Sequence, residues 1–542
     1  MEAVLGIAMV VSIFATLYFG RGTTFSGDEM VWVVTSPQLD LDTALQPHAG
    51  HLLLVSRLLY APLLDLFGLD YLPYRILTVL SVCLTVGLLF VYLRRRVPEV
   101  VALVPCLVLL FFGSDHLHML QGNGFTICFS LAMGLLALLM VERDDRAGDV
   151  IASIALVAAV ATYAVGLPFV VGIAAAVALK RQWRRLWIPA IPAVLYLAWL
   201  LWTKTNDAGG PGSQVEFSNL TLIPKWSFQA LGAALYALTG LSFDLTRGDS
   251  IDLIGTGAAL LAIAAILAVA ICVWRGRASR GLWVAIAIGV ALWTMQALVS
   301  GTGGRLPDDA RYLYPGAVVS VLVLAEAARG LRWRRPTLIA LYLIGAIGLT
   351  TNFLLLERNG DFYRDLGLAF RGQVGAANLI VEAQASAGSL EEDSVPLDEL
   401  VTEEAGAAFA MADLPYGHFG LTPLEMTALP PEQRISIDRG LIAAEELELF
   451  PAADANGKDC RKAPESEDGI FVAELGPDGG ILHSRSGIKN LLAGRFADAP
   501  HLPLEKIEPG ETVKLEVLPD SGSETVPWQV QGSGRDIEIC GL

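Results

Sequence analysis

The chain has 542 residues, 54% hydrophobic and 17% charged, with 38 basic and 55 acidic side chains and a formal charge of −17. Its apolar residues gather in runs that reach the ~17–25 residues of a membrane-spanning helix, and a soluble globular protein, nearer ~25% charged, is excluded. The acid surplus argues against a nucleic-acid partner, and it is localised: from Glu357 onward there are 34 acids and 14 bases, so the preceding part is slightly basic.

In chain order, the first apolar segment (3–20) has no basic start and no small-residue cleavage site, which predicts a retained helix and not a signal peptide. Four short basic loops follow along the chain: Arg94–Arg96, "KRQWRR" at 180–185, "RGRASR" at 275–280 and "RGLRWRR" at 329–335. The positive-inside rule puts all four in the cytoplasm. Eleven spans satisfy this: 3–20, 72–93, 99–113, 122–141, 149–164, 166–180, 186–203, 253–274, 281–300, 313–329 and 336–356. The pair around "TYAVGLPFV" could equally be one bent helix. Leu52–Leu69 carries Arg57, Pro62 and Asp65, and Trp226–Leu241 is short and amphipathic. Both are expected to lie in the outer interface without crossing.

The expected architecture is therefore an all-α polytopic membrane domain (1–356) followed by an extracytoplasmic α+β domain (357–542). That second domain begins with a helix at 362–385. After about 468 it turns to short alternating runs such as "GIFVAEL" and "TVKLEVL", broken by Gly, Pro and Asp, which read as strands. Cys460 and Cys540 are the only cysteines of this tail, and in an oxidising compartment they are expected to join.

Three outer loops carry candidate chemistry. Asp28 and Glu29 lie between apolar residues just past the first span, with Asp40 and Asp42 in the same loop. A carboxylate in a partly dry site is raised toward the working range of a general base. The loop "GSDHLHMLQGN" offers Asp115, His116, His118 and Gln121, and "HAGH" offers His48 and His51. These residue types suit sugar hydroxyls or phosphate, and the histidine spacing makes a divalent metal a candidate cofactor. The loop "RLPDDARYLYPG" places Arg305 and Arg311 outside, against the charge trend, where a guanidinium can grip a phosphate. Asp308 and Asp309 could instead neutralise those arginines. No GxSxG elbow, CxxC pair, Walker loop or dinucleotide fingerprint is present.

The first loop resembles that of glycosyltransferases of the GT-C fold, in particular the protein O-mannosyltransferase and aminoarabinose-transferase-like group. In that group an Asp-Glu pair is followed by a His/Lys-Pro-Pro-Leu-like stretch, an interfacial helix ending in Phe-Gly, and an Arg opening the next span. Here these positions read Asp28-Glu29, Gln46-Pro47-His48, Phe67-Gly68 and Arg75, with the second proline missing. Arg311-Tyr312 matches the family's Arg-Tyr pair at the start of a late helix. The resemblance implies a polyprenyl-phosphate-linked sugar donor and inverting transfer to an extracytoplasmic glycan, lipid or protein acceptor. In that reading Asp28, with Glu29 beside it, is the base, and Arg311, Tyr312 and Arg305 hold phosphate. The Ala/Gly/Val/Arg-rich composition suggests a GC-rich bacterial genome and hence a plasma membrane. Two other classes fit the layout. One is a transporter or flippase for a lipid-linked saccharide, disfavoured by the scarcity of intramembrane charge beyond Glu326. The other is a non-catalytic anchor presenting the acidic tail to envelope polymers.

Overall fold

The computed structural model describes residues 1–26, 28–36, 39–48, 50–206, 215–300, 305–387, 416, 419–443, 447–452, 460–463, 469–477, 479–517 and 525–541, without the side chains at 28, 381–387, 443 and 541. The chain divides into two compact units, one of Met1–Phe25 with Thr35–Arg364, the other of Ser26–Val34 with Asp365–Leu542.

Every predicted span of the first unit is a helix. They are α1 (Glu2–Phe19), α5 (Leu72–Leu93), α6 (Glu99–Leu110), α8 (Phe125–Val141), α9 (Arg146–Thr162), α10 (Leu167–Leu179), α11 (Trp187–Thr205), α13 (Thr256–Trp274), α14 (Arg280–Leu298), α15 (Ala310–Ala327) and α16 (Arg335–Ala387). Nine helical segments among the described residues are long and apolar enough to cross a membrane, and the chain is a multi-pass membrane protein. The other two predicted spans, α9 and α10, are helices of 17 and 13 residues. They are two helices and not one bent helix. Tyr163 is extended (φ −162°, ψ 154°), and Pro168 sits in the first turn of α10, where a missing N–H costs nothing. Ser130 of α8 donates to the carbonyls of Ala159 (2.9 Å) and Tyr163 (3.3 Å) at the break, alongside the backbone N–H groups of Tyr163 and Gly166 that the same two carbonyls accept (3.1 and 3.0 Å).

The two stretches predicted not to cross are short helices, α4 (Leu54–Phe67), with Pro62 inside it, and α12 (Ile223–Thr239). Neither is among the long apolar segments. Trp199 of α11 donates to the Leu45 carbonyl (2.7 Å), and Leu52 packs with Ala161 and Trp199. These contacts put the start of α4 at the ends of α9 and α11 remote from the basic loops.

All four basic loops come together at the opposite end. Arg95, Arg96, Lys180, Arg280 and Arg329 line one cavity there, as expected if the four share a membrane face. Arg96 donates to Glu326 at 2.5 Å and also pairs with Glu142; Tyr92 and Ser279 donate to Glu326 at 3.0 and 2.8 Å. Arg185 pairs with Asp144 and Asp149. Glu326, the charge expected near the end of its span, is thus buried but fully satisfied.

In the second unit the predicted helix at 362–385 is not a separate element; α16 continues through it without a break. No proline interrupts residues 337–387, so nothing stops the helix where it leaves the apolar run. Helices Pro423–Met426 and Pro431–Ala443 follow, the first closed by a reciprocal Thr422–Glu425 capping box. After the hairpin β1–β2 (Phe243–Asp244, Asp249–Ser250) of the first unit, nine strands among the described residues form two sheets here. One sheet is β3 (Leu447–Pro451), β9 (Thr512–Val517), β6 (Gly479–Ser484), β11 (Ile537–Gly541) and β4 (Cys460–Lys462) in spatial order. The other is β5 (Ile470–Glu474), β10 (Gln529–Ser533), β7 (Lys489–Gly494) and β8 (Leu502–Pro503). The strands start at 447, earlier than the alternating pattern at 468 indicated. Their inner faces share one core that includes Phe471, Leu482, Leu515, Trp528, Val530 and Ile537. Cys460 and Cys540 are direct partners across the β4–β11 pair and are disulfide-bonded.

Candidate functional site

The end of the first unit opposite the basic loops is built where α6 turns into the 113–124 segment. Gly113 passes so close to α16 that a Cβ there would lie 2.2 Å from the Asn352 carbonyl and 2.3 Å from the Leu356 nitrogen. Asn352, fully buried, accepts from the Ser114 backbone (3.0 Å) and hydroxyl (2.8 Å) and donates to the carbonyls of Ala237 and Gly348. One side chain thereby ties the loop to α12 and α16.

Asp115 then turns inward. Its carboxylate accepts from the His118 backbone (3.2 Å), from the His118 ring Nδ1 (2.8 Å) and from the Tyr314 backbone N–H in the first turns of α15 (3.0 Å). Two loops separated by 199 residues are joined by that last bond. Asp115 is 0% exposed and His118 5%. The Asp115 carboxylate is consumed in holding His118 and α15, and it orients the imidazole. His116 bonds through Nδ1 to the Tyr363 hydroxyl on α16 at 2.9 Å.

At the start of α15, Tyr312 is hydrogen-bonded to Arg305, and the charges of Arg305 and Arg311 both act on its hydroxyl. Arg311 is exposed, with no hydrogen bond or ion pair among the described residues, and its charge also reaches Tyr363. Among the described residues Asp308 makes no ion pair with either arginine, and burial pushes its carboxyl up from the usual range. The structure therefore gathers Asp115, His116, His118, Arg305, Arg311 and Tyr312 around one helix start. Gln121 is buried beside them in sequence, its carbonyl taken by Thr78 (3.1 Å).

His48 and His51 form a separate cluster. Their backbones bond reciprocally (3.0 and 2.8 Å), and the His51 ring lies 4.2 Å from that of Tyr163 at the α9–α10 break. Asp28 opens the helix α2 (Asp28–Thr35), and its side chain lies outside those described. Glu29 is fully buried. Residues 26–34 group with the second unit, so the pair is described apart from Arg311. Asp40, another acid of that loop, caps α3 (Leu41–Leu45) through the Thr43 N–H (2.7 Å), which holds its carboxyl below the usual range. Among the described residues no group of three or more His, Cys, Asp or Glu side chains is placed to hold a metal.

Arg57 of the first loop and Arg75, just inside α5, separate into different roles. Arg75, 3% exposed, donates to the carbonyls of Gly20 (2.5 Å) and Thr16 (2.7 Å) and to the Thr23 hydroxyl (2.9 Å). It caps the end of α1, the interaction a cation at a helix C-terminus favours. Arg57, on α4, is 4% exposed, and its Nε and one terminal nitrogen have no hydrogen-bond partner. Burial alone pushes its guanidinium down, and no carboxylate among the described residues offsets it. The sequence showed Arg57 only as a charge too costly for the bilayer. That its charge would be buried and uncompensated depends on the fold.

No family model matches the chain, and no curated protein matches it. Two solved structures of ArnT from Cupriavidus metallidurans are similar to it. The one bound to undecaprenyl phosphate has 12% identity and a TM-score of 0.45, covering 76% of this chain and 85% of that one. The apo form has 13% identity and a TM-score of 0.46, covering 75% and 84%.

Proposed function

We propose that this chain is a membrane glycosyltransferase that moves a sugar from a polyprenyl-phosphate donor to an extracytoplasmic acceptor. The observation that carries the reading is Arg57: a guanidinium buried at the membrane end remote from the basic loops, with no anion among the described residues to balance it. An uncompensated buried charge is costly, and a ligand phosphate would supply the missing partner in bidentate geometry. Exposed Arg311 and half-buried Arg305 supply further positive charge at the same end.

In this mechanism the acceptor hydroxyl oxygen attacks the anomeric carbon. The bond from that carbon to the phosphate oxygen breaks, and polyprenyl phosphate leaves with its charge stabilised by the arginines. The hydroxyl proton passes to a carboxylate. Asp28 is assigned that role by the sequence resemblance, with Glu29 its neighbour. One displacement inverts the anomeric centre.

The test incubates the purified protein in bilayer discs with labelled polyprenyl-phosphate sugar and follows sugar transfer or release. Wild type turns the donor over. Asp28→Asn lowers turnover by about 10²–10⁴-fold while donor binding persists, and Arg311→Ala weakens donor binding. A wild-type protein that binds no polyprenyl phosphate, or an Asp28→Asn variant of full activity, sinks the donor class or the assigned base respectively.

A further inference from the structure

The cavity among the basic loops lies at the opposite end from the proposed transferase site and is used by none of its steps. It has a volume of about 560 Å³. Five bases line it: Arg95, Arg96, Lys180, Arg280 and Arg329. Only two carboxylates do, Glu142 and Glu326.

Both carboxylates are already engaged. Glu326 holds Arg96, Tyr92 and Ser279, and Glu142 holds Arg95 (3.2 Å) and Arg96. Lys180 is balanced from outside the lining by Asp144 at 3.1 Å. Two charges are left over. Arg280 has no hydrogen bond or ion pair among the described residues, and Arg329 reaches only the edge of Glu326, at 4.0 Å, from a half-exposed position. The shape is fixed by packing: a Cβ on Gly281 would lie 2.2 Å from the Glu326 carboxylate, so α14 and α15 meet closely at the cavity wall. The rest of the wall is apolar, with Leu138, Val141 and Val284 among it. Arg96, its side chain 6% exposed, is held rigidly under the cavity by three partners and the face of Tyr92.

The geometry points to a binding site for a phosphate-bearing anion in this cavity, with the phosphodiester headgroup of an anionic phospholipid as the ligand class. Two surplus guanidiniums facing an amphipathic hollow between helix ends match a charged headgroup with an acyl chain beneath it. Basic pockets between helices on this face are suited to acidic lipids, and arginine suits phosphate in geometry as well as charge. The site is independent of the transferase reading.

The experiment is native mass spectrometry of the full-length protein extracted from vesicles of phosphatidylglycerol, cardiolipin or phosphatidylcholine. A parallel arm measures thermal shift with free glycerophosphate. The variant Arg280→Gln with Arg329→Gln removes the surplus charges and leaves the Arg96–Glu326 network intact. A control, Arg334→Gln with Arg335→Gln, removes equal charge from the basic end outside the cavity lining. Selective retention of an anionic lipid, lowered by roughly 30-fold in the cavity variant and unchanged in the control, supports a lipid source. A shift with glycerophosphate that the cavity variant abolishes supports the same site with a soluble source. Equal loss in both variants, retention of phosphatidylcholine as strong as that of the anionic lipids, or no ligand in either arm overturns it.

Discussion

At the scale of single residues, the structure separates two arginines, Arg57 on α4 and Arg75 at the start of α5. Arg75 spends both terminal nitrogens on the end of α1, whereas Nε and one terminal nitrogen of Arg57 have no partner among the described residues. Replacing an unpaired buried charge by an apolar group of similar length removes a desolvation cost. Arg57→Met is therefore expected to leave thermal stability unchanged or raise it by ~1–4 kcal/mol. The same change should weaken donor binding by roughly 10–100-fold through the loss of charged hydrogen bonds. A scanning melt and a donor-binding isotherm on one preparation check both; a lower melting temperature with intact binding would make Arg57 a purely structural residue. Asp308 gives a pH signature. Burial raises its carboxyl in the folded chain above the unfolded value. Between those two values the folded state binds more proton, so its contribution to stability is present at low pH and is lost as pH rises through the window. Asp308→Asn should flatten this slope and stabilise the protein at neutral pH, read as the wild-type-minus-variant melting difference from pH 4 to 7.

At the scale of elements, what holds the basic end is an ion-pair knot. Arg96 on the α5–α6 connection, Glu326 on α15 and Ser279 at the start of α14 meet there. Removing one member of a buried pair leaves the other desolvated. Glu326→Ala should lower stability by about 3 kcal/mol, measured by thermal unfolding in detergent, while Glu142→Ala at the exposed edge should cost less. If the two variants melt alike, burial of the pair does not matter energetically. The break at Tyr163 shows a different economy. An extended residue separates two short helices, and one serine on a neighbouring helix ties the break down by bonding two of its carbonyls, each of which also accepts a backbone N–H.

At the scale of the whole molecule, the second unit is closed by the Cys460–Cys540 bond between β4 and β11, spanning 80 residues. In the chain-entropy account a loop of that length restricts the unfolded state by about 4.5 kcal/mol. Reduction of the full chain should lower the melting transition of the second unit and leave that of the membrane helices in place. Differential scanning calorimetry with and without dithiothreitol resolves the two; a single transition shifted as a whole would mean that the units unfold together. A shift of two mass units on reduction verifies the bond itself.

Much of this was legible in the chain itself, because it rests on local physics. Runs of apolar residues must satisfy their backbones as helices, so each predicted span appears as a helix. The basic loops were read as sharing one face, and the structure brings all four to one cavity. The cysteine pairing followed from there being two cysteines in the tail. Alternation marked the later strands but missed those from 447, where the exposed end of β3 carries no such pattern. What tertiary structure alone decided are the properties that depend on neighbours distant in sequence. Asp115 was named for its chemistry, yet its carboxylate is spent on His118 and on a backbone 199 residues away. Arg57 and Arg75 carry the same charge 18 positions apart, and only the packing of their helices gives Arg75 its partners on α1 and leaves two Arg57 nitrogens without any among the described residues. Burial and pairing set the cost of a charge, and neither is a property of the residue or its immediate neighbours.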